Sequence, residues 1–282
     1  MKNNTKAIQA LLFGLVAASN VSALPFVGTE VTIYDGDGTN GTGYAQEDNE
    51  AEPGMVQAQK WDLEGFFIHD NNQLAITGGF DLKNGVAGFD GTGSNKNFLA
   101  GDIFISTDNN YIAGNSTGGS VGQPVVNTTF GYEYVIDIDW TTGSYDIREL
   151  GSESYTQEAW YTQNYGSNPW LYSGEDANGS VLADSIFSGS FDYLTNNDAG
   201  YGSDYHQGMN GDNFHNAAWG FDLSSIIAAG NSDLIFHSTM GCGNDNLMGQ
   251  SQGMSVPEPS SIALLGLGMI GLTAMRKRNS NS

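Results

Sequence analysis

The chain has 282 residues, with 9 Lys and Arg against 32 Asp and Glu, a formal net charge of −23 at pH 7 and one cysteine. A field of that sign repels nucleic-acid phosphates and anionic lipid, so no nucleic-acid partner is expected, and a single cysteine forbids an intramolecular disulfide. Acidic, lysine-poor composition alone would suit a disordered chain, but 14 Phe, 13 Tyr and 5 Trp supply the apolar mass of a core, and 39 Gly mark many turns.

Residues 1–23 have the three parts of a secretory signal peptide. Lys2 and Lys6 form a positive start, Ala7–Ala18 an apolar run, and Val21-Ser22-Ala23 a small-residue cleavage site. Cleavage by signal peptidase is expected between Ala23 and Leu24. Residues 24–255 then form an exported ectodomain, retaining only Lys60, Lys83, Lys96 and Arg148 as cations. Setting aside Glu258, 31 carboxylates oppose those four, a net charge of about −27.

In the ectodomain, Glu30–Tyr34 predicts a strand, followed by the acidic stretch Asp35–Gly54. Asp35-Gly36-Asp37-Gly38 has the oxygen density of a calcium loop. The EF-hand template fails, because Asn40 stands at its glycine position and Gln46 at its glutamate position. The apolar runs Leu63–Ile68 and Leu74–Leu82 flank the turn signal Asn71-Asn72 and predict a hairpin, with His69 at its edge. Asn84–Asn97 reads as a glycine-rich connection, and Gly101–Asn110 as a strand closed by a polar turn.

The strongest alternation lies in Tyr132–Trp140. Tyr132, Tyr134, Ile136, Ile138 and Trp140 face one way, and Glu133, Val135, Asp137 and Asp139 the other. The turn Thr141-Thr142-Gly143 returns the chain through Ser144–Leu150, predicting a hairpin with one buried and one wet face. Gly151–Ser180 reads as a long loop with a few short strands. Val181–Leu194 has strand character, and Thr195–Asn216 is rich in Gly and Asn, with His206 and His215. Ala217–Leu223 predicts a strand, Ser224–Ala229 a short helix or turn, and Asp233–Thr239 a final strand closed by Gly241–Asp245. Many short strands with glycine-rich turns predict an all-β fold, an antiparallel β-sandwich or jelly-roll-like ectodomain with long Gly/Asn-rich loops.

Asp137 and Asp139 stand two apart on one strand face, as paired carboxylates do in glycoside hydrolases of the concanavalin-like sandwich. Those enzymes place two glutamates around a central aspartate, whereas this face offers Val135, Asp137, Asp139 and Thr141, so both glutamates are missing. No Ser-His-Asp order, Walker loop or HExxH is recognisable, and His237 with Cys242 supplies too few ligands for structural zinc. The chain is therefore read as non-enzymatic. Asp102, Asp108, Asn109, Asn244 and Asp245 end strands or line turns, where their oxygens suit either a calcium ion or ordinary turn chemistry. Cys242 is either a buried inert thiol or a site of intermolecular pairing.

The C-terminal segment 256–282 has three parts in order: Pro257-Glu258-Pro259, the uncharged apolar run Ile262–Met275, and the basic knot Arg276-Lys277-Arg278. The prolines break regular structure, the apolar run suits a transmembrane helix over 262–275, and the cations stop it on the cytoplasmic side. Fourteen helical residues rise only ~21 Å, against a hydrocarbon core of about 30 Å, which suits a temporary anchor.

This segment resembles the PEP-CTERM sorting signal, the substrate of the exosortase family of Gram-negative bacteria. The resemblance implies export, transient anchoring in the inner membrane, cleavage near the Pro-Glu-Pro by an exosortase, and release or transfer to the outer surface. A second resemblance rests on Gly101–Ile105, the Tyr132-Glu133-Tyr134 hairpin, Trp219–Leu223 and the run His237–Asp245, which contains Cys242-Gly243-Asn244-Asp245. These are similar to features of a group of exosortase-dependent surface proteins carrying a CGND element before the sorting signal. That likeness spans most of Gly101–Gly249 and implies a location rather than a chemistry. Two readings follow: a non-enzymatic surface or matrix protein associated with exopolysaccharide, and a carbohydrate-binding or, as the weaker form, carbohydrate-cleaving sandwich in which Trp160, Trp170 and tyrosines stack on sugars, calcium-dependent if the oxygen-rich turns hold the ion.

Overall fold

The computed structural model describes residues 28–33, 56, 58–69, 71–89, 94–112, 124–160, 168–174, 185–195 and 215–254. The signal-peptide residues 1–23, the acidic stretch 35–54, His206 and the segment 256–282, with its Pro-Glu-Pro, transmembrane run and basic knot, lie outside the described residues.

The chain first enters as two short strands, β1 (Thr29–Glu30) and β2 (Thr32–Ile33). They join different sheets, β1 pairing with β3 (Leu63–Ile68) and β2 with β17 (Asn246–Ser251). The single strand expected over Glu30–Tyr34 is thus a crossing between sheets. Val31 makes the crossing: its N–H donates to Phe66 and its carbonyl accepts from Gln250.

The hairpin of β3 and β4 (Gln73–Gly78) turns where Asn71-Asn72 predicts it. Asn72 has a φ of 62°, a left-handed conformation that Asn tolerates. Beyond β4 the chain bends around Asn216, whose side chain accepts from Leu82 N–H and donates to the carbonyls of Gly78 and Phe80. The expected connection over Asn84–Asn97 contains a separate hairpin, β5 (Val86–Phe89) with β6 (Asn95–Phe98).

β7 (Ala100–Ser106), β9 (Tyr134–Asp139) and β10 (Ser144–Glu149) follow the predicted pattern, and β8 (Pro124–Val126) precedes β9. β11 (Tyr155–Gln157) and β12 (Leu171–Tyr172) are the short strands of the expected loop. The apolar stretch at 181–194 holds two strands, β13 (Ser185–Ser190) and β14 (Asp192–Thr195), again in different sheets. β15 (Asn216–Asp222) leads into α1 (Ser224–Ala228), then β16 (Leu234–Met240) and β17.

The chain is therefore built mostly of β-strands in antiparallel sheets, with almost no helix. The five-stranded sheet runs β1-β3-β4-β15-β14, and the seven-stranded sheet runs β13-β10-β9-β7-β16-β17-β2. They share one core. Phe66 meets Phe236 with ring centroids 5.7 Å apart, and Tyr145 meets Phe221 edge-on at 5.2 Å. A polar tie accompanies the rings, since the Tyr145 hydroxyl donates to Gly220 carbonyl and accepts from Asp222 N–H.

The other face of the seven-stranded sheet is only partly wet. A three-stranded sheet, β12-β11-β8, contributes to a second cluster there, in which Phe104, Phe130, Tyr132, Val135, Leu150 and Tyr172 are buried. Tyr132 therefore belongs with Val135, not with Tyr134 and Ile136 as the alternation suggests. It precedes β9, and its ring lies against Phe104 and His237. Among the described residues no helix is long and apolar enough to cross a membrane.

Antiparallel register gives the fold two poles. Thr29 pairs with Ile68 and Ser251 with Leu234, so the chain enters and leaves the described sheets at one pole. Ala100, Asp139, Ser144 and Met240 stand at the other. Strands of six or seven residues put the poles roughly 20 Å apart.

Candidate functional site

The sequence places aspartates at alternate positions of neighbouring strands, and register lines them up. Asp146 of β10 lies opposite Asp137 of β9 on one side and Ser188 of β13 on the other. Asp102 of β7 lies one step beyond the Ile103–Ile136 pair, beside Asp137. Three carboxylates thus cross the outer face of three adjacent strands, an arrangement that repels itself unless compensated.

Two devices compensate it. Arg148 reaches Asp137 through Nε at 2.8 Å and Asp146 through Nη2 at 2.7 Å, and its guanidinium also lies near the Tyr172 ring. Partial burial works against this cation, but the Asp137 hydrogen bond and the two carboxylate charges outweigh it and raise its pKa. Asp102, 1% exposed, is held by backbone: Oδ1 accepts from Ile138 N–H at 2.9 Å and Oδ2 from Tyr172 N–H at 2.8 Å. Burial first, then the Asp137 charge, pushes its carboxyl well above the usual carboxylate range, although the two N–H donors and Arg148 oppose that shift.

Beside this row, at the pole away from the chain exit, opens a cleft of about 560 Å³. Asp137, Asp139, Asp146, Trp140 and Trp170 line it, with Lys83 and the exposed Leu99 at its margin. Trp140 is fixed by its Nε1–H bond to Gly101 carbonyl and by an edge-on contact with Phe191. The Trp170 indole rests against the backbone at Gly101 and Gly241. A Cβ on either glycine would stand within 2.7–2.8 Å of the ring, so a larger residue would displace it. Asp139 caps its own turn, and bonds from Thr142 and Thr141 lower its pKa.

The five residues considered for calcium do not share one place. Asp102 faces the three-stranded sheet, whereas Asp108 and Asn109 form the turn after β7 at the opposite end of that strand. Asn244 and Asp245 sit between β16 and β17. Asp245 accepts from Leu63 and Asn246, and Asn244 accepts from Val56 and donates to its carbonyl. These oxygens serve backbone N–H groups, and no group of three or more His, Cys, Asp or Glu suited to a metal occurs among the described residues.

Gly241–Asp245 does not close the ectodomain. It is the turn of a hairpin whose second strand, β17, lies inside the seven-stranded sheet between β16 and β2. Cys242 is 2% exposed, and burial pushes its thiol up to about 12. Trp160 is unsuited to stacking on a ligand, because the Lys96 ammonium covers its ring and the rest packs on the main core. His69 lies against Trp219 at the edge of the β3–β4 hairpin.

Asp146, Arg148 and Lys83 escape a reading of the sequence by motif, and Trp140 is read there only as core. One signal was available. A turn at Thr141-Thr142-Gly143 fixes the register, and counting outward from it places Asp146 opposite Asp137.

Outside the described residues, a family model for the PEP-CTERM protein-sorting motif matches residues 255–278. The chain carries a PEP-CTERM sorting motif. This motif implies processing by an exosortase and export through a membrane-anchored C-terminal signal. Comparison with curated proteins and with solved structures gave no match.

Proposed function

We propose that this is a non-enzymatic surface or extracellular-matrix protein, a PEP-CTERM cargo whose β-sandwich ectodomain associates with exopolysaccharide after the sorting signal is cleaved. The PEP-CTERM motif carries the reading. Its apolar and basic parts act as a temporary inner-membrane anchor, Pro257-Glu258-Pro259 directs cleavage, and the segment 1–23 starts export as a signal peptide removed after Ala23. The two facing antiparallel sheets support the sandwich, and the lack of a usable disulfide is compatible with export because the shared core and polar ties hold the fold.

A structural rather than catalytic role is supported by the engagement of the acidic residues. Arg148 occupies Asp137 and Asp146, Asp139 caps a turn, and Asp102 is enclosed by backbone donors. A retaining glycosidase needs a free nucleophile and acid facing one another, about 5–5.5 Å apart. Fractionating cells with and without an active exosortase tests the reading: the protein should reach the outer surface or medium only when the exosortase is present. Equal surface delivery in both strains would overturn it.

A further inference from the structure

We infer that the cleft over Asp137, Asp139 and Asp146 is a binding site for a non-acidic saccharide strand. The inference rests on the proposed exopolysaccharide association and names the site and the class of sugar. Its volume, about 560 Å³, falls in the range of small-ligand sites, about 300–1,000 Å³. Its walls carry the two kinds of group that recognise a pyranose. Carboxylate oxygens accept hydrogen bonds from vicinal hydroxyls, and charged acceptors make stronger bonds than neutral ones. Indoles offer broad apolar surface to the C–H face of a ring.

The side chains are held in place before any ligand arrives. Arg148 orients Asp137 and takes Oδ2 of Asp146, and the Ser188 hydroxyl donates to Oδ1 of Asp146. The Gly101 carbonyl fixes Trp140, and Trp170 is seated on two glycines. Holding these groups rigid reduces the ordering cost of binding.

Charge selects among sugars. Three aspartates outnumber Lys83 and the paired Arg148, so the cleft stays net negative, and with a chain net charge of −23 this opposes a uronate or sulfated polymer, whereas neutral hexose units meet no such barrier. Position agrees with an external ligand. Met254 leaves the sheets at the pole opposite the cleft, its N–H bonded to Ser232 carbonyl. The cleft and the chain exit therefore lie at opposite ends of the sheets.

The test is affinity electrophoresis of the full chain in detergent micelles, through gels containing dextran or hydroxyethylcellulose, and in parallel polygalacturonate. Retardation by a neutral polymer and none by polygalacturonate is expected. Trp170→Ala should weaken retardation at least about tenfold, as loss of an aromatic anchor does. Leu99→Asp, at an exposed rim position, should weaken it without lowering the melting temperature. Absence of retardation by either neutral polymer, stronger retardation by polygalacturonate, or unchanged retardation in folded Trp170→Ala and Leu99→Asp chains would overturn the inference. Failure here with normal exosortase-dependent delivery would remove the cleft assignment alone. Normal saccharide binding without such delivery would instead remove the proposed function.

Discussion

Asp245 accepts the backbone N–H of Leu63 at 2.7 Å, binding the turn between β16 and β17 to the first residue of β3 in the opposite sheet. The same carboxylate takes Asn246 N–H on its other oxygen, and both bonds are buried. Asparagine beside it clasps the backbone of Val56 in both directions. Asp245 is thus a clamp between sheets at the pole far from the chain exit, and Asn244 ties the segment before β3 to the same turn.

Asp245→Ala leaves two buried N–H donors without their acceptor, each such loss costing about 1–3 kcal/mol. Urea unfolding of the variant should show stability lower by roughly 2 kcal/mol or more. An unchanged midpoint would mean that the clamp contributes nothing.

Cys242 should be chemically silent. A thiol pushed up to about 12 and shielded from solvent has almost no reactive thiolate near neutral pH. The native protein should resist a chromogenic disulfide reagent for hours and react fully in guanidinium. Rapid labelling of the folded chain, or a disulfide-linked dimer on a non-reducing gel, would contradict this.

Asp102 should make stability fall as pH rises. Its folded pKa is raised above the unfolded value of about 3.9, so its protonated form fits the fold better. Its favourable contribution is complete below the unfolded pKa and is lost as pH climbs through the raised one. Asp102→Asn keeps one acceptor and loses one, so the variant should be weaker at low pH, and its deficit should shrink as pH rises above 4. Parallel melting profiles for variant and parent would refute the assignment.

Arg148→Gln removes the cation between Asp137 and Asp146. Both carboxylates are about one-third exposed, so the loss should be modest, about 1 kcal/mol. Screening of the repulsion left behind should narrow the deficit in 1 M salt. A deficit unaffected by salt would point to lost packing against Tyr172 instead.

The apolar run of β3 and the alternation of β9 led directly to strands, Tyr132 just before β9 being the one residue placed on the wrong face. Glycine misled elsewhere. Gly249 lies within β17, where a Cβ would come 2.8 Å from the Phe66 ring, and Gly88 lies in β5 with Trp61 at 2.9 Å. These glycines mark aromatic rings resting on strands, yet in sequence they look like turns, so β5, β6 and β17 went unseen. Short strands that change sheets at Val31 and Phe191 are equally opaque, because the break is set by pairing partners distant in sequence. The cleft depended on bringing β10 and residue 170 together, and only the first of these follows from a hairpin count.

Cleavage at the sorting motif changes the mass of the chain, so intact mass spectrometry reads it out. The full chain should be expressed in cells with an active exosortase and in cells lacking it, and the protein recovered from each weighed. Loss of the C-terminal segment near Pro257-Glu258-Pro259 is expected only when exosortase is present, with 262–278 retained when it is absent. Recovery of a chain still ending in Arg276-Lys277-Arg278 and the residues beyond, in the presence of an active exosortase, would contradict it.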